Sequence, residues 1–175
     1  MSTVDVSETI LDRIKSIKDE YNKYSWEGNL DKDLEINYSE DRIDYILHTP
    51  KIFFSENDGF QMKLKEKAFS MLNDFLITKI SEYSYHGFHI ENPKNYFIRF
   101  DFEPFKENYA PVHINAPKHI WGDHLTYPDS TNLDISKMNC KIALTVFSRF
   151  SADKNDYPTN PLTNKPYVEI FAKGE

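Results

Sequence analysis

Apolar residues recur along this chain with two different periods, and the points where the period changes divide it into elements. Ile10, Leu11, Ile14, Ile17, Tyr21 and Tyr24 fall at helical spacing, with Arg13, Lys15 and Lys18 on the other side. Ser7 and Glu8 supply a start signal, so a helix is expected over residues 7–24, ended by Gly28-Asn29. One apolar stripe on a charged cylinder docks on the core or on a partner, which leaves this helix free to sit at the periphery. Residues 29–40 are polar and acidic and read as a loop. Residues 42–55 hold two short β-like runs around Thr49-Pro50, where Pro50 cannot donate to a ladder and marks an edge or a break. Asn57-Asp58-Gly59 is a turn signal, and Phe60, Met62 and Leu64 then alternate as one face of a strand does.

From Glu66 the spacing lengthens. Ala68, Phe69, Leu72, Phe75, Leu76, Ile80 and Tyr83 share one helical face, so a second helix is expected over 66–83. Tyr85 to Ile90 reads as extended, and Pro93-Lys94-Asn95 as a turn. The clearest strand follows at 96–103: Tyr96, Ile98, Phe100 and Phe102 face one way, and Phe97, Arg99, Asp101 and Glu103 the other. Pro104 ends it, and Val112 to Asn115 is expected to pair with it as a hairpin. The run DSTNLD at 129–134 is helix-start chemistry, and a last helix is expected over 133–149. Pro158, Pro161 and Pro166 then interrupt the chain before a late strand at 167–172. The pattern predicts an α+β fold: one domain over 1–175, with a small antiparallel sheet centred on 96–103 and flanked by three helices.

Composition narrows the function more than the fold. A 15% aromatic content over 175 residues supports a real core. Five glycines, with neither GxxxxGK[ST] nor GxGxxG, argue against a loop that cradles a nucleotide's phosphates. The net charge is −7, and the 21 basic residues are scattered among 28 acidic ones, so duplex DNA is an unsuitable partner. A localised RNA contact survives that argument, because a small basic pocket need not show in the net charge. Cys140, the only cysteine, excludes an intrachain disulfide and a thiolate zinc site. It lies in an apolar helical run, where a buried inert thiol is expected. No apolar stretch approaches the length of a membrane span and no signal-peptide core is evident at the N-terminus, so the cytoplasm is the expected compartment, with no membrane partner.

Ionisable side chains concentrate between Tyr96 and His124, which holds Arg99, Asp101 and three of the six histidines. Arg99 and Asp101, two apart on one strand face, are first of all a structural ion pair. Their functional reading is that Arg99 holds a phosphate while His113 or His119 moves protons, the combination a metal-independent ribonuclease needs. Arg99, Asp101, His113 and His119 are therefore the candidate catalytic residues. His113, His119 and His124 are the candidate metal ligands, with Asp123 beside the last. Their intervals of six and five match neither a helix-borne nor a strand-borne site, so ordinary loop histidines are the expected reading. His86 and His89 sit three apart in a stretch with no helical pattern. No GxSxG or comparable nucleophile signature occurs, and no cofactor is expected. Tyr109, Trp121 and Tyr127 are candidates for stacking bases or anchoring an interface.

At RFDFEP (99–104), VHIN (112–115), LTYPDST (125–131) and the helix to SRF (148–150), the chain resembles a bacterial domain-of-unknown-function family of defence and toxin–antitoxin loci. The segment DGFQMKLKEKAF adds to that resemblance, which covers about residues 55–150. TumE-type toxins show a comparable Arg-Asp strand followed by histidines, although a compact HxH cluster is absent here. The resemblance implies an accessory or regulatory protein of a phage-defence or toxin–antitoxin system, working through a larger protein encoded in the same locus. The alternative is a metal-independent endoribonuclease toxin using Arg99 and a histidine.

Overall fold

Strict alternation of buried and open positions, 60-62-64-66-68 on one strand and 83-85-87-89 on the next, is the organising feature of the fold. The computed structural model describes residues 4–6, 9–24, 34–40, 44–49, 53–55, 59–72 and 76–159. Within them lie β1 (Val4–Val6), α1 (Ile10–Tyr21), β2 (Glu35–Tyr38), β3 (Asp44–His48), β4 (Phe53–Ser55), β5 (Phe60–Leu72), β6 (Leu76–His89), β7 (Phe97–Phe102) and β8 (Val112–Asn115). They are followed by α2 (Lys118–Trp121), a 3₁₀ turn at Ile135–Lys137 and α3 (Cys140–Ala152). All the strands join one sheet in the order β2-β3-β5-β6-β7-β8. β4 extends the line of β3 along β5, and β1 shares with β7 the far side of β6. Every pairing is antiparallel. The fold is α+β, as the pattern predicts.

Two expectations are corrected. Residues 66–72 and 76–83 form no helix but the facing halves of β5 and β6, the longest strand pair among the described residues. A register shift explains the helical appearance: Lys67 pairs with Glu82 but Ala68 pairs with Ile80, so Ser81 is an extra residue in β6. Thr78 and Ile80 are buried before that bulge, and Tyr83 and Tyr85 after it. The bulge thus converts a spacing of two into a spacing of three, which imitates one turn of helix. The second correction concerns the loop over 29–40: Glu35–Tyr38 is an edge strand paired with β3. The late strand at 167–172, the Asn57-Asp58 part of the predicted turn and the helix stop at Gly28-Asn29 lie outside the described residues.

One face of the sheet is the core. Tyr83, Tyr85, Ile98, Phe100, Phe102 and Ile114 are buried there beneath α3, whose Ala143, Leu144, Val146, Phe147 and Phe150 point inward. α3 starts at Cys140, where the Asn139 side chain accepts from the amides of Lys141 (2.9 Å) and Ile142 (3.2 Å). Asp134, in the predicted start signal, instead caps the preceding 3₁₀ turn. Cys140 is fully buried, and burial pushes its thiol well above the ordinary range, consistent with an inert residue.

α1 is held from both ends of its apolar stripe. Thr9 caps its start, Ile17 and Tyr21 join the core, and Tyr24 beyond it donates to Thr145 of α3 (3.1 Å) or Glu20 (3.0 Å). Arg13, placed by the helical pattern on the charged side, points inward instead and binds Glu66 of β5 through two hydrogen bonds. No helix among the described residues is long and apolar enough to cross a membrane.

Candidate functional site

With the helices on one side, the opposite face of the sheet is built by residues that sit directly across from one another, since such pairs project to the same side. One row runs His48, Lys65, Ser84, Asp101 and His113 across β3, β5, β6, β7 and β8. The next runs Lys63, His86, Arg99 and Asn115, and a third runs Gln61, Phe88 and Phe97. Alternation therefore gathers three cations, three histidines and two aromatics onto one surface of an acidic protein. A depression of about 520 Å³ lies in it, lined by His48, Lys63, Lys65, Ser84, His86 and Arg99. Lys63 and Lys65 are exposed and form no ion pair among the described residues.

Arg99 uses only part of its guanidinium within the protein. Its Nε donates to Asp101 Oδ2 at 2.6 Å, and Asn115 Nδ2 donates to the same oxygen at 2.6 Å. Both terminal nitrogens of Arg99 are left without a hydrogen bond among the described residues, and the side chain is 42% exposed. The expected Arg99–Asp101 ion pair thus exists, and it orients the arginine's remaining donors without consuming them.

His86 packs against Phe88 (ring centroids 5.0 Å) and Phe97 (5.7 Å). Burial, reinforced by the charges of Arg99 and Lys63 and opposed by Asp101, lowers its pKa to about 4. It is neutral at pH 7. Because the folded state resists protonating it, stability from this group is complete above about pH 6.5 and is lost as pH falls toward 4. The thermal midpoint is expected to drop across that window, and a His86→Phe variant to drop less. Equal acid sensitivity of the two proteins would remove His86 as the cause. His89, three residues on, faces the core and bonds the Phe150 carbonyl (2.9 Å), so the two histidines lie on opposite faces.

The other candidates are divided. His113 sits at the edge of the rows, 1% exposed, its Nδ1 bonded to the Ala110 carbonyl (2.9 Å). Its Nε2 has no hydrogen-bond partner among the described residues and lies 3.9 Å from Asp101 Oδ2. His124 stands beside it, with ring centroids 4.9 Å apart, and stacks on Tyr109 at 4.0 Å. Tyr109 in turn donates to Glu103 (2.8 Å). His119 is exposed on α2, outside this group. Asp101, Glu103 and His113 bring ligand atoms within 4.8 Å of one another, a set different from the three histidines read from the sequence. Glu103 was legible as the next member of the Arg99–Asp101 face. Lys63 and Lys65 were legible too, as the positions between Met62 and Leu64 and beyond. His48 and His86 carried no local signal, because only strand pairing brings them together.

No protein-family model matches the chain, and no match to it is found among curated proteins or solved structures. The chemistry of the site is what remains to assign a role.

Proposed function

We propose that the open face of the sheet binds a single strand of nucleic acid, with RNA the ligand to test first. The observation that carries this is the depression ringed by Lys63, Lys65 and Arg99 on a chain of net charge −7, with His86, Phe88 and Phe97 beside it. Phosphates suit the lysines and the terminal donors of Arg99. Bases suit the aromatic row, since any base can stack on a ring. A duplex finds too few cations here, and the open sheet offers no element that enters a groove.

Binding is better supported than cleavage. A general base works best with a pKa near the working pH, and His86 lies well below it. Of the two histidines read as alternative proton carriers for Arg99, His113 lies beside Asp101 but is buried and His119 is exposed on α2, an arrangement that gives cleavage less support than binding.

The test is fluorescence anisotropy with labelled single-stranded RNA and DNA at several salt concentrations. The wild-type chain is expected to bind, and a Lys63→Ala/Lys65→Ala variant to bind roughly tenfold or more weakly, with the salt slope reduced by about 1.4 for two lost phosphate contacts. Absence of binding at low salt, or a variant with unchanged affinity, would sink the proposal. The accessory reading, a subunit acting through a larger protein of a defence or toxin–antitoxin locus, draws support from exposed Leu11, Phe105 and Ile120. Co-expression with neighbouring proteins separates the two: a stable complex without nucleic-acid affinity favours the accessory role alone.

A further inference from the structure

We propose that Asp101, Glu103 and His113 form a binding site for a divalent transition-metal ion. The site lies at the β7–β8 edge and does not depend on the nucleic-acid reading.

Three observations converge on it. Asp101 and Glu103 alternate on one face of β7 and its continuation, and His113 is the direct partner of Asp101 on β8, so the backbone itself brings the three together. The His113 ring is 1% exposed, yet its Nε2 has no hydrogen-bond partner among the described residues. A buried imidazole nitrogen without a partner is costly, and it faces two carboxylates. The other ring nitrogen is occupied by the Ala110 carbonyl, which requires Nδ1 to carry the proton and leaves the Nε2 lone pair facing Asp101. That is the arrangement in which a backbone carbonyl orients a histidine ligand and sets its tautomer.

The distances suit an ion. Two ligands about 2.1 Å from a metal in tetrahedral geometry lie about 3.4 Å apart. His113 Nε2 and Asp101 Oδ2 are 3.9 Å apart, and the full ligand set spans no more than 4.8 Å, so small side-chain rotations close it. Arg99 and Asn115 both donate to Oδ2, which holds the Asp101 carboxylate in place beside His113. Arg99 offsets one of the two carboxylate charges, and a dication meets the other. Tyr109 steadies Glu103 through its hydroxyl and covers the site with the Tyr109–His124 stack. One imidazole with two carboxylates is a borderline-to-hard donor set, suited to zinc or manganese and unlike the all-oxygen shells of calcium and magnesium.

The test is calorimetric titration of the purified chain, without a histidine tag and after chelator treatment, with Zn²⁺, Mn²⁺ and Mg²⁺. About one Zn²⁺ or Mn²⁺ per chain is expected, with Mg²⁺ far weaker. Glu103→Ala, at a partly exposed position that keeps the fold, is expected to weaken binding roughly tenfold or more. Mn²⁺ is expected to broaden the NMR signals of the His113 ring before those of His48 and His119, and Zn²⁺ to raise the thermal midpoint of the wild type only. Failure of both ions to bind, or binding unaffected by Glu103→Ala, or first broadening at His119, would overturn the assignment.

Discussion

Replacing Glu66 with alanine is expected to destabilise this protein by roughly 3–5 kcal/mol, the cost of breaking a buried ion pair by removing one member. Arg13 and Glu66 are 2% and 1% exposed. Arg13 Nε donates to Glu66 Oε1 at 3.0 Å, and Nη2 and the Tyr85 hydroxyl both donate to Oε2. Burial alone would lower the Arg13 pKa, but the charge of Glu66 and its hydrogen bonds outweigh it, so the guanidinium stays protonated and cannot escape by neutralising. The carboxylate therefore satisfies two elements at once, holding α1 to β5 and the Tyr85 hydroxyl of β6 in place. Its removal takes two hydrogen bonds from Arg13 and one from the Tyr85 hydroxyl. Replacing both partners with apolar residues, Arg13→Met with Glu66→Leu, is expected to recover part of the loss, because the pair's desolvation cost disappears while the Tyr85 hydroxyl still loses its acceptor. Urea unfolding of the single and double variants measures this. A single-variant loss below about 1 kcal/mol would show that the pair is solvated and that α1 is held by apolar packing alone.

The second large effect is expected at Gly87. Glycine inside a strand ordinarily weakens it, so its presence in the middle of β6 needs a reason. A Cβ at this position would stand 2.6 Å from Phe60 Cζ and 2.7 Å from Phe147 Cδ1, closer than nonbonded carbons approach. The missing side chain is what lets α3 lower Phe147 onto the sheet while Phe60 passes beneath. Phe60 cannot easily yield, since it is also packed edge-on against His89 and Phe150. Gly87→Ala is expected to cost about 1–3 kcal/mol, the range for overpacking a filled core, and Gly87→Val more. Combining Gly87→Ala with Phe147→Leu should restore part of the loss, because the bulk opposing the new methyl is reduced. Strict additivity of the two losses would argue against the clash as the cause.

Both predictions concern residues whose importance is invisible along the chain. Glu66 sits among lysines in KLKEKAF, where a solvated strand or helix face is the natural reading, and Gly87 looks like a break between two histidines. The candidate site divides in the same way. Arg99, Asp101 and Glu103 were readable because β7 alternates cleanly and a two-residue interval places side chains on one face without reference to any partner. The meeting of His113 with Asp101 required a pairing register, and the meeting of His48 and His86 with Arg99 required the order of four strands. His119, close to the others in sequence, is set apart by the short helix that carries it.

What the sequence determined by itself is what neighbours along the chain can enforce: the apolar stripes of α1 and α3, the two faces of β7, the β7–β8 hairpin, the absence of nucleotide-cradling glycine loops, and the buried environment of Cys140. What tertiary structure decided is everything that depends on which strand lies alongside which. The bulge at Ser81 shifted the phase of β6 so that its buried positions passed for a helix. The core then turned Arg13 inward, because Glu66 across the interface offered two acceptors that water could no longer supply. Periodicity is a local property of the backbone, whereas register, bulges and buried partners are settled only when separate segments exclude water from one another.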